Sequence, residues 1–365
     1  MSRPLRILLV NKAYPPHIGG IETLVRQYAR YFQTQFSAEV QVLVCQEKGK
    51  TAQETIEGVP VLRAGSIGTY FSCPLSGSFL RYFRKYAKQA DVVMIHMPFP
   101  LADLACLLSG YRGRVVLAWH SDVIKQKTLL RFYAPLLRRL LRRADCILTA
   151  TQGHIDSSAF LPAVRDKCKV IPYGIDLAAY RAAPAYPVLQ PHSNHPKAVK
   201  ALFVGRLVYY KGVTVLLKAM QQVQNCELFL IGSGKLQDTL QQMAEGMDTV
   251  HFLGSLSDAD LRAALQECDF LVLPSVANSE AFGLVQLEAM VYGKPVINTA
   301  LPTGVPHVSL DGETGLTVPP ESETALAKAM QTLVSDADLR SKYGAAAKKR
   351  VETVFAEDVV MQQVY

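Results

Sequence analysis

Short β-branched runs alternate with amphipathic stretches along the whole chain. Leu5–Val10, Val40–Cys45, Val92–His96, Val115–His120 and Cys146–Thr149 read as strands. Apolar positions at helical spacing predict helices from about Ile21 to Phe36, over 100–109 and over 128–143. The pattern restarts after Pro196 with strands at Ala201–Val204, Leu228–Ile231, Val250–Leu253, Phe270–Leu273 and Val296–Asn298. Helices near 212–224, 235–245, 257–267, 283–293 and 321–334 separate them. Such alternation predicts an α/β protein with parallel sheets covered on both faces. Residues 182–198 have four prolines and no hydrophobic period, and read as a linker. The expected organisation is therefore a domain over 1–181, the linker, a second domain over 199–335, and terminal helices over 336–365.

In open parallel sheets, ligands bind beyond the carboxyl ends of the strands. Two facing sheets would form an interdomain cleft, and the residues that carry chemistry do follow strands. After the first strand come Gly19 and Gly20, whose backbone an anion can approach at a helix start. After Ala201–Val204 come Gly205, Arg206, Lys211 and Gly212; a guanidinium fork and a mobile ammonium suit a diphosphate. After Leu228–Ile231 comes Gly232-Ser-Gly234, another turn that permits close approach. After Phe270–Leu273, a loop carries Glu280 into a helix opening near Gly283, with Glu288 more than one turn inside it. Free amides at Phe282, Gly283, Leu284 and Val285 can hold phosphate or hydroxyl oxygens. Two carboxylates beside two cations suit a ligand that is part polyol and part anion, as a nucleotide sugar is. Val115–Trp119 ends in His120-Ser121-Asp122, which cannot form a nucleophilic triad because adjacent side chains diverge. His120 suits a hydrogen bond to a sugar hydroxyl or to an acceptor proton, with Asp122 orienting it or touching the acceptor.

Composition narrows the classes. With 49% hydrophobic and 19% charged residues, the chain is neither disordered nor fibrous. Its first residues have too short an apolar run for a signal peptide, and Val92–Tyr111 is interrupted by His96, Asp103 and two prolines. Seven cysteines lie far apart without a CxxC or Cys/His cluster, which points to free thiols in a reducing cytoplasm and to no metal. The net charge of +8 is unevenly distributed: residues 1–180 hold 24 Lys and Arg against 12 Asp and Glu, and residues 181–365 hold 15 against 19. No nucleic-acid-binding motif accompanies the basic half, so nucleic acid is not the expected partner.

These residues together resemble the retaining, nucleotide-sugar-dependent glycosyltransferases of family 4, which have the GT-B fold of two facing Rossmann-like domains. The likeness rests on Gly19-Gly20, His120, Arg206 with Lys211, Gly232-Ser-Gly234, and Glu280 followed by Glu288. Tyr173-Gly-Ile-Asp176, Gly304-Val-Pro and the segment Gly312–Pro319 also look like this family. The resemblance implies that Arg206 and Lys211 neutralise the diphosphate leaving group and that Glu288 holds the ribose. It puts Glu280 and the Phe282–Leu284 backbone on the donor sugar, Gly20 on the distal phosphate, His120 near the sugar, and the Gly254–Leu256 loop beside the base. It implies no metal and no cofactor, the nucleotide sugar being a substrate, and terminal helices that cross back to the first domain. The His120–Lys125 segment and the sequence around Glu280 look most like mannosyltransferases using GDP-mannose. UDP-hexose donors are the alternative, and a GT-B nucleotide-sugar epimerase is the rival chemistry.

The first domain of such enzymes usually faces the acceptor, and here it is the basic one. Arg81, Arg84, Lys85 and Lys88, then Lys125, Lys127, Arg131, Arg138, Arg139, Arg142 and Arg143, are interleaved with Leu, Phe and Tyr. That pattern reads as an interfacial surface for anionic lipid. It predicts an enzyme peripheral to the cytoplasmic face of the inner membrane, acting on a lipid-linked glycan in surface polysaccharide or O-antigen assembly.

Overall fold

The computed structural model describes residues 3–17, 19–70, 73–122 and 127–365. The chain forms two compact units, one of Met1–Pro172 with Met361–Tyr365 and one of Tyr173–Val360.

The strands of the first unit are β1 (Arg6–Val10), β2 (Glu39–Cys45), β3 (Ala52–Ile56), β4 (Val59–Ala64), β5 (Thr69–Tyr70), β6 (Cys73–Pro74), β7 (Val92–Met97), β8 (Arg114–Trp119), β9 (Cys146–Thr149) and β10 (Cys168–Val170). Eight of them make one sheet in the order β10-β9-β8-β7-β1-β2-β4-β3. Every pairing is parallel except the edge strand β3, which runs antiparallel to β4. The sequence pattern does not reveal β3, because Ala-Gln-Glu-Thr-Ile has no buried face; its residues are exposed or half-buried. Helix Gly20–Gln35 covers the sheet with Leu24, Val25, Tyr28, Ala29, Tyr31 and Phe32, a stripe at helical spacing.

The second unit has β11 (Val199–Val204), β12 (Cys226–Ile231), β13 (Val250–Gly254), β14 (Phe270–Val272), β15 (Val296–Thr299) and β16 (Gly315–Val318). They form one parallel sheet in the order β13-β12-β11-β14-β15-β16. All six residues of β12 are buried, as expected for a central strand covered on both faces.

In each unit the chain winds outward from the first strand in one direction, then returns to wind in the other. The reversal lies between β1 and β7 in the first sheet and between β11 and β14 in the second. At such a point the loops beyond adjacent strands diverge, leaving a crevice for a ligand.

The division between the units falls before the expected edge at residue 181. Residues 173–181 pack on the second unit: the Ile175 amide donates to the Phe355 carbonyl at 2.8 Å, and the Tyr292 hydroxyl donates to the Tyr180 carbonyl at 2.9 Å. Helix Ala337–Val354 also belongs there, with Gly344 against the backbone of Gly293. Of the terminal residues, Met361–Tyr365 belong to the first unit, where the Tyr365 ring stacks on Phe36 at 4.0 Å.

The 182–198 segment is a bound strap. Two carboxylates of the second unit hold it. Glu267 accepts from the amides of Val188, Leu189 and Gln190, each at 2.7 Å, and from Lys200 Nζ. Glu227, fully buried, accepts from the amides of Asn194 and His195, from the Ser193 hydroxyl and from the His251 ring. Burial pushes the Glu227 carboxyl up, but these donors outweigh it and hold the group below its usual range. A carboxylate depressed in the folded state contributes stability at pH values above the ordinary glutamate range, and loses it as pH falls through the lower folded value. Glu227→Ala removes the buried acceptor that ties the strap to β12; urea denaturation is expected to show a loss of about 3 kcal/mol at pH 7. The difference from wild type should shrink as the pH is lowered below 4.

Candidate functional site

In the second unit, backbone meets backbone beyond the strand ends. Gly212 is left-handed (φ 69°), and a Cβ there would lie 1.9 Å from the Pro274 carbonyl oxygen. Gly232 has φ 129°, and a Cβ there would lie 2.1 Å from the Gly205 carbonyl oxygen. No other residue permits these approaches. Hydrogen bonds then lock the loops together: Val276 N to Tyr210 O (2.8 Å), Gly205 N to Ile231 O (3.0 Å), Leu207 N to Ser233 O (2.9 Å) and Gly232 N to Gly254 O (2.7 Å). The Ser255 hydroxyl, beside half-buried Leu256, donates to Ser233 at 3.2 Å.

This packing gathers the charged side chains that the sequence singles out. Lys211 Nζ is 2.5 Å from Glu280 Oε2, and both side chains are almost withdrawn from solvent. The Ser275 hydroxyl donates to the same oxygen at 3.0 Å. Arg206, exposed, donates to the Tyr210 hydroxyl at 2.9 Å; its guanidinium and the Lys211 ammonium lie 6.0 and 5.9 Å from that ring's centre. Arg206, Lys211 and Glu280 thus form one connected group around Tyr210. Removing either partner of such a pair would leave a poorly exposed charge uncompensated.

The regular helix runs Val285–Val291, so Glu288 sits in its first turn, nearer the helix start than the expected opening at Gly283 would put it. Gly283 has φ 74°, and the Gln286 amide bonds to its carbonyl in a turn ahead of the helix. Among the described residues, the amides of Phe282, Gly283, Leu284 and Val285 have no acceptor. Phe282 itself is core, its ring edge-on to Tyr173 at 4.8 Å. Burial pushes the Glu288 carboxyl up; the Tyr180 hydroxyl, Arg262 and Lys211 act in the opposite direction. Arg262 lies over the Tyr180 ring at 4.8 Å and donates to the Ala179 carbonyl.

A buried polar network fixes the loop ahead of this helix. Gln286 donates to the carbonyls of Phe282 and Val305, and Asn298 donates to Gln286 Oε1 and to the carbonyls of Val305 and Ser309. The Thr317 hydroxyl donates to Asn298 Oδ1 at 2.7 Å.

In the first unit, Gly19 caps helix Gly20–Gln35 with extended backbone, and a Cβ there would meet only the flexible end of Glu22. Nothing in the described chain demands a glycine at that position. His120 follows β8, buried, with Nε2 3.0 Å from Nδ1 of His96 on β7; the rings are 15° from parallel. Burial, with His154 adding repulsion, pushes the His120 imidazole down to about 3, so it is neutral at physiological pH. A neutral ring suits hydrogen bonding better than proton storage. The Asp122 carboxylate accepts from the Trp119 ring N–H, the Ser158 hydroxyl and the Ala159 amide, which makes it a brace for the 158–159 turn. Val123–Lys125 of the same segment lie outside the described residues.

Sequence reasoning missed Tyr180, Arg262 and His96. Tyr180 stands just before the segment read as a linker, and Arg262 lies on a helix with no motif. His96 could have been noticed as the one polar residue in the apolar run of β7, at the reversal point of the sheet.

Comparison with known proteins gives the family and the fold. Residues 189–350 match the glycosyl transferases group 1 family and residues 18–179 match glycosyltransferase family 4. The chain is 35% identical to the D-rhamnosyltransferase WbpZ of Pseudomonas aeruginosa, over 96% of this chain and 92% of that protein. It is 30% identical to the O-antigen chain mannosyltransferase C of Escherichia coli, over 97% and 95%. A crystal structure of Anabaena HepE in complex with UDP superimposes with a TM-score of 0.79 at 20% identity, covering 99% of this chain and 98% of that one, a likeness of fold. The chain therefore belongs to the group 1, family 4 glycosyltransferases, and its two Rossmann-like sheets are those of the GT-B fold.

Proposed function

We propose that this glycosyltransferase moves mannose from GDP-mannose to a lipid-linked glycan acceptor, with retention at the anomeric carbon and without a metal ion. The observation that carries the reading is the grouping of Arg206, Lys211 and Glu280 around Tyr210, with Glu288 near enough for Lys211 to act on its carboxyl and the free amides of residues 282–285 between the two glutamates in the chain. Arg206 and Lys211 offset the charge that develops on the departing diphosphate, where a preorganised cation does most for the rate. Glu288 accepts the ribose hydroxyls. Glu280, in contact with Lys211 and Ser275, accepts from the sugar hydroxyls once the phosphate claims the lysine. Gly20, at the start of its helix, lies against the distal phosphate, and neutral His120 hydrogen-bonds the sugar. The departing phosphate takes the acceptor proton on the same face of the ring, so no carboxylate nucleophile is required.

The mannosyl donor is supported by the name of the Escherichia coli relative. The Pseudomonas aeruginosa relative favours a second reading, transfer of D-rhamnose, the 6-deoxy form of the same sugar. UDP-hexose is the further alternative for the donor.

The acceptor reading rests on the first unit. Arg81, Arg84 and Lys85 are exposed on helix Gly77–Ala87, and Arg131, Arg138, Arg139 and Arg142 on helix Lys127–Arg143. Phe132, 80% exposed, stands among the latter. A basic face with a protruding aromatic suits the headgroup layer of an anionic membrane. Lys125 and the side chain of Lys127 lie outside the described residues. Among those described, no helix is long and apolar enough to cross a membrane.

A thermal-shift panel of GDP, UDP, ADP and dTDP tests the donor. GDP alone should stabilise the protein, by about 2.7 kcal/mol at a hundredfold excess over Kd. Glu288→Ala should lose that shift, and Glu280→Ala should keep it while losing transfer from GDP-mannose. Stabilisation by UDP alone would reassign the donor. Sedimentation with phosphatidylglycerol vesicles at low salt tests the surface. Replacing Arg138, Arg139 and Arg142 by Ser should weaken binding roughly a hundredfold at ~1 kcal/mol per charge, and indifference of the wild type to these vesicles would remove the membrane reading.

A further inference from the structure

His96 carries no motif, yet it is among the most buried polar residues of the first unit, 1% exposed, and it holds the one ring on which the sugar contact in this unit depends. We infer that His96 is a positioning residue for the transfer reaction, fixing the His120 ring as the tautomer with its hydrogen on Nδ1. The inference rests on the reading of His120 as a sugar contact.

One hydrogen lies between His96 Nδ1 and His120 Nε2, 3.0 Å apart, and it can belong to either ring. If His120 supplies it, His96 must carry its own hydrogen on Nε2. That atom is buried and meets no protein partner among the described residues, so a donor would be stranded in the core. If His96 supplies it, Nε2 of His96 holds only a lone pair. Orphaned buried N–H groups are rarer than under-satisfied acceptors, which selects the second arrangement. His120 then accepts at Nε2 and bears its hydrogen on Nδ1.

The surroundings keep both rings neutral. The Tyr28 ring from helix Gly20–Gln35 packs on His96 at 5.8 Å between centres. Helix Gln152–Ser157 brings His154, whose Nδ1 is bonded to the Thr151 hydroxyl. Burial is the largest influence on both rings and lowers the affinity of each for a second proton. With both rings neutral, the tautomer is the property the pair can set. Parallel stacking adds a second restraint by fixing the plane of His120.

Nitrogen-15 NMR of histidine-labelled protein reads the tautomer directly. Wild type is expected to show His120 with hydrogen on Nδ1, and His96→Phe, which keeps a ring but not the donor, should shift it towards Nε2. Turnover of GDP-mannose with octyl mannoside as acceptor should fall on the order of tenfold in kcat in that variant, with the KM for GDP-mannose within twofold. His96→Asn, whose amide can place an N–H where Nδ1 stood, should recover most of the loss, whereas His96→Gln should not. The proposal is overturned if wild-type His120 carries its hydrogen on Nε2, or if His96→Phe turns over normally while His120→Phe is inactive. If both variants turn over normally, the place of His120 in the reaction falls, and the spectrum still judges the pairing by itself.

Discussion

The candidate donor site depends on backbone packed against backbone. Two glycines of the second unit, Gly212 and Gly232, lie so near the carbonyls of Pro274 and Gly205 that a single methyl group would separate the loops. Because they touch, the loops beyond β11, β12 and β14 form one surface instead of three projections. Lys211 can then reach Glu280, and Arg206 and Lys211 can share Tyr210. The charges converge because the main chain does. Parallel sheets make this possible: every strand delivers its loop to the same edge, and the reversal between β11 and β14 leaves a gap for those loops to line.

Convergence of that kind has a physical cost that the surrounding structure offsets. The ion pair of Lys211 and Glu280 is poorly exposed, and a withdrawn pair adds little net stability compared with an apolar contact. It persists because the loop around it is held by groups that have no charge. Thr299 donates to the Ser275 carbonyl at 2.6 Å, and Gln286, Asn298 and Thr317 satisfy one another across β15 and β16. Such a network is stable only when each member has its partners, and these do. The amides of residues 282–285, which have no acceptor among the described residues, are thereby held on a rigid frame.

How much of this could be read from sequence follows the range of the interactions. The strands of the second unit announce themselves as short apolar runs, and Arg206, Lys211, Glu280 and Glu288 stand immediately beyond them. Local order suffices to find those. Glycines 212 and 232 could be marked as turns, but which carbonyl each approaches is a property of the folded sheet. Tyr180 and Arg262 escaped because their relation to Glu288 joins a helix near residue 180 to two others far along the chain. Segment 182–198 read as a linker since its prolines disrupt any period; its amides are held by Glu227 and Glu267, whose sequence neighbours give no hint of that task. Asp122 looked chemical beside His120, yet its oxygens are engaged by Trp119, Ser158 and Ala159. A polar residue at a strand end has two possible occupations, and only packing distinguishes them.

The uneven charge of the chain acquires a different meaning once the side chains are placed. The first half carries a large excess of Lys and Arg, yet burial opposes positive charge on the groups that follow its central strands. His96 and His120 are neutral through burial, and burial also lowers the Lys12 ammonium, which follows β1. The excess lies instead on helices Gly77–Ala87 and Lys127–Arg143, where arginines project into solvent. The second half has a net negative charge and places its two chemically prominent cations, Arg206 and Lys211, at the reversal point. Net charge is therefore a poor guide to the groups that the site of either unit presents. A cation needed at one point works best against a background that does not compete for the same anion. In the first unit the arginines stay on the outer helices, where water solvates them, and burial beside the central strands leaves the two imidazoles to act through hydrogen bonds.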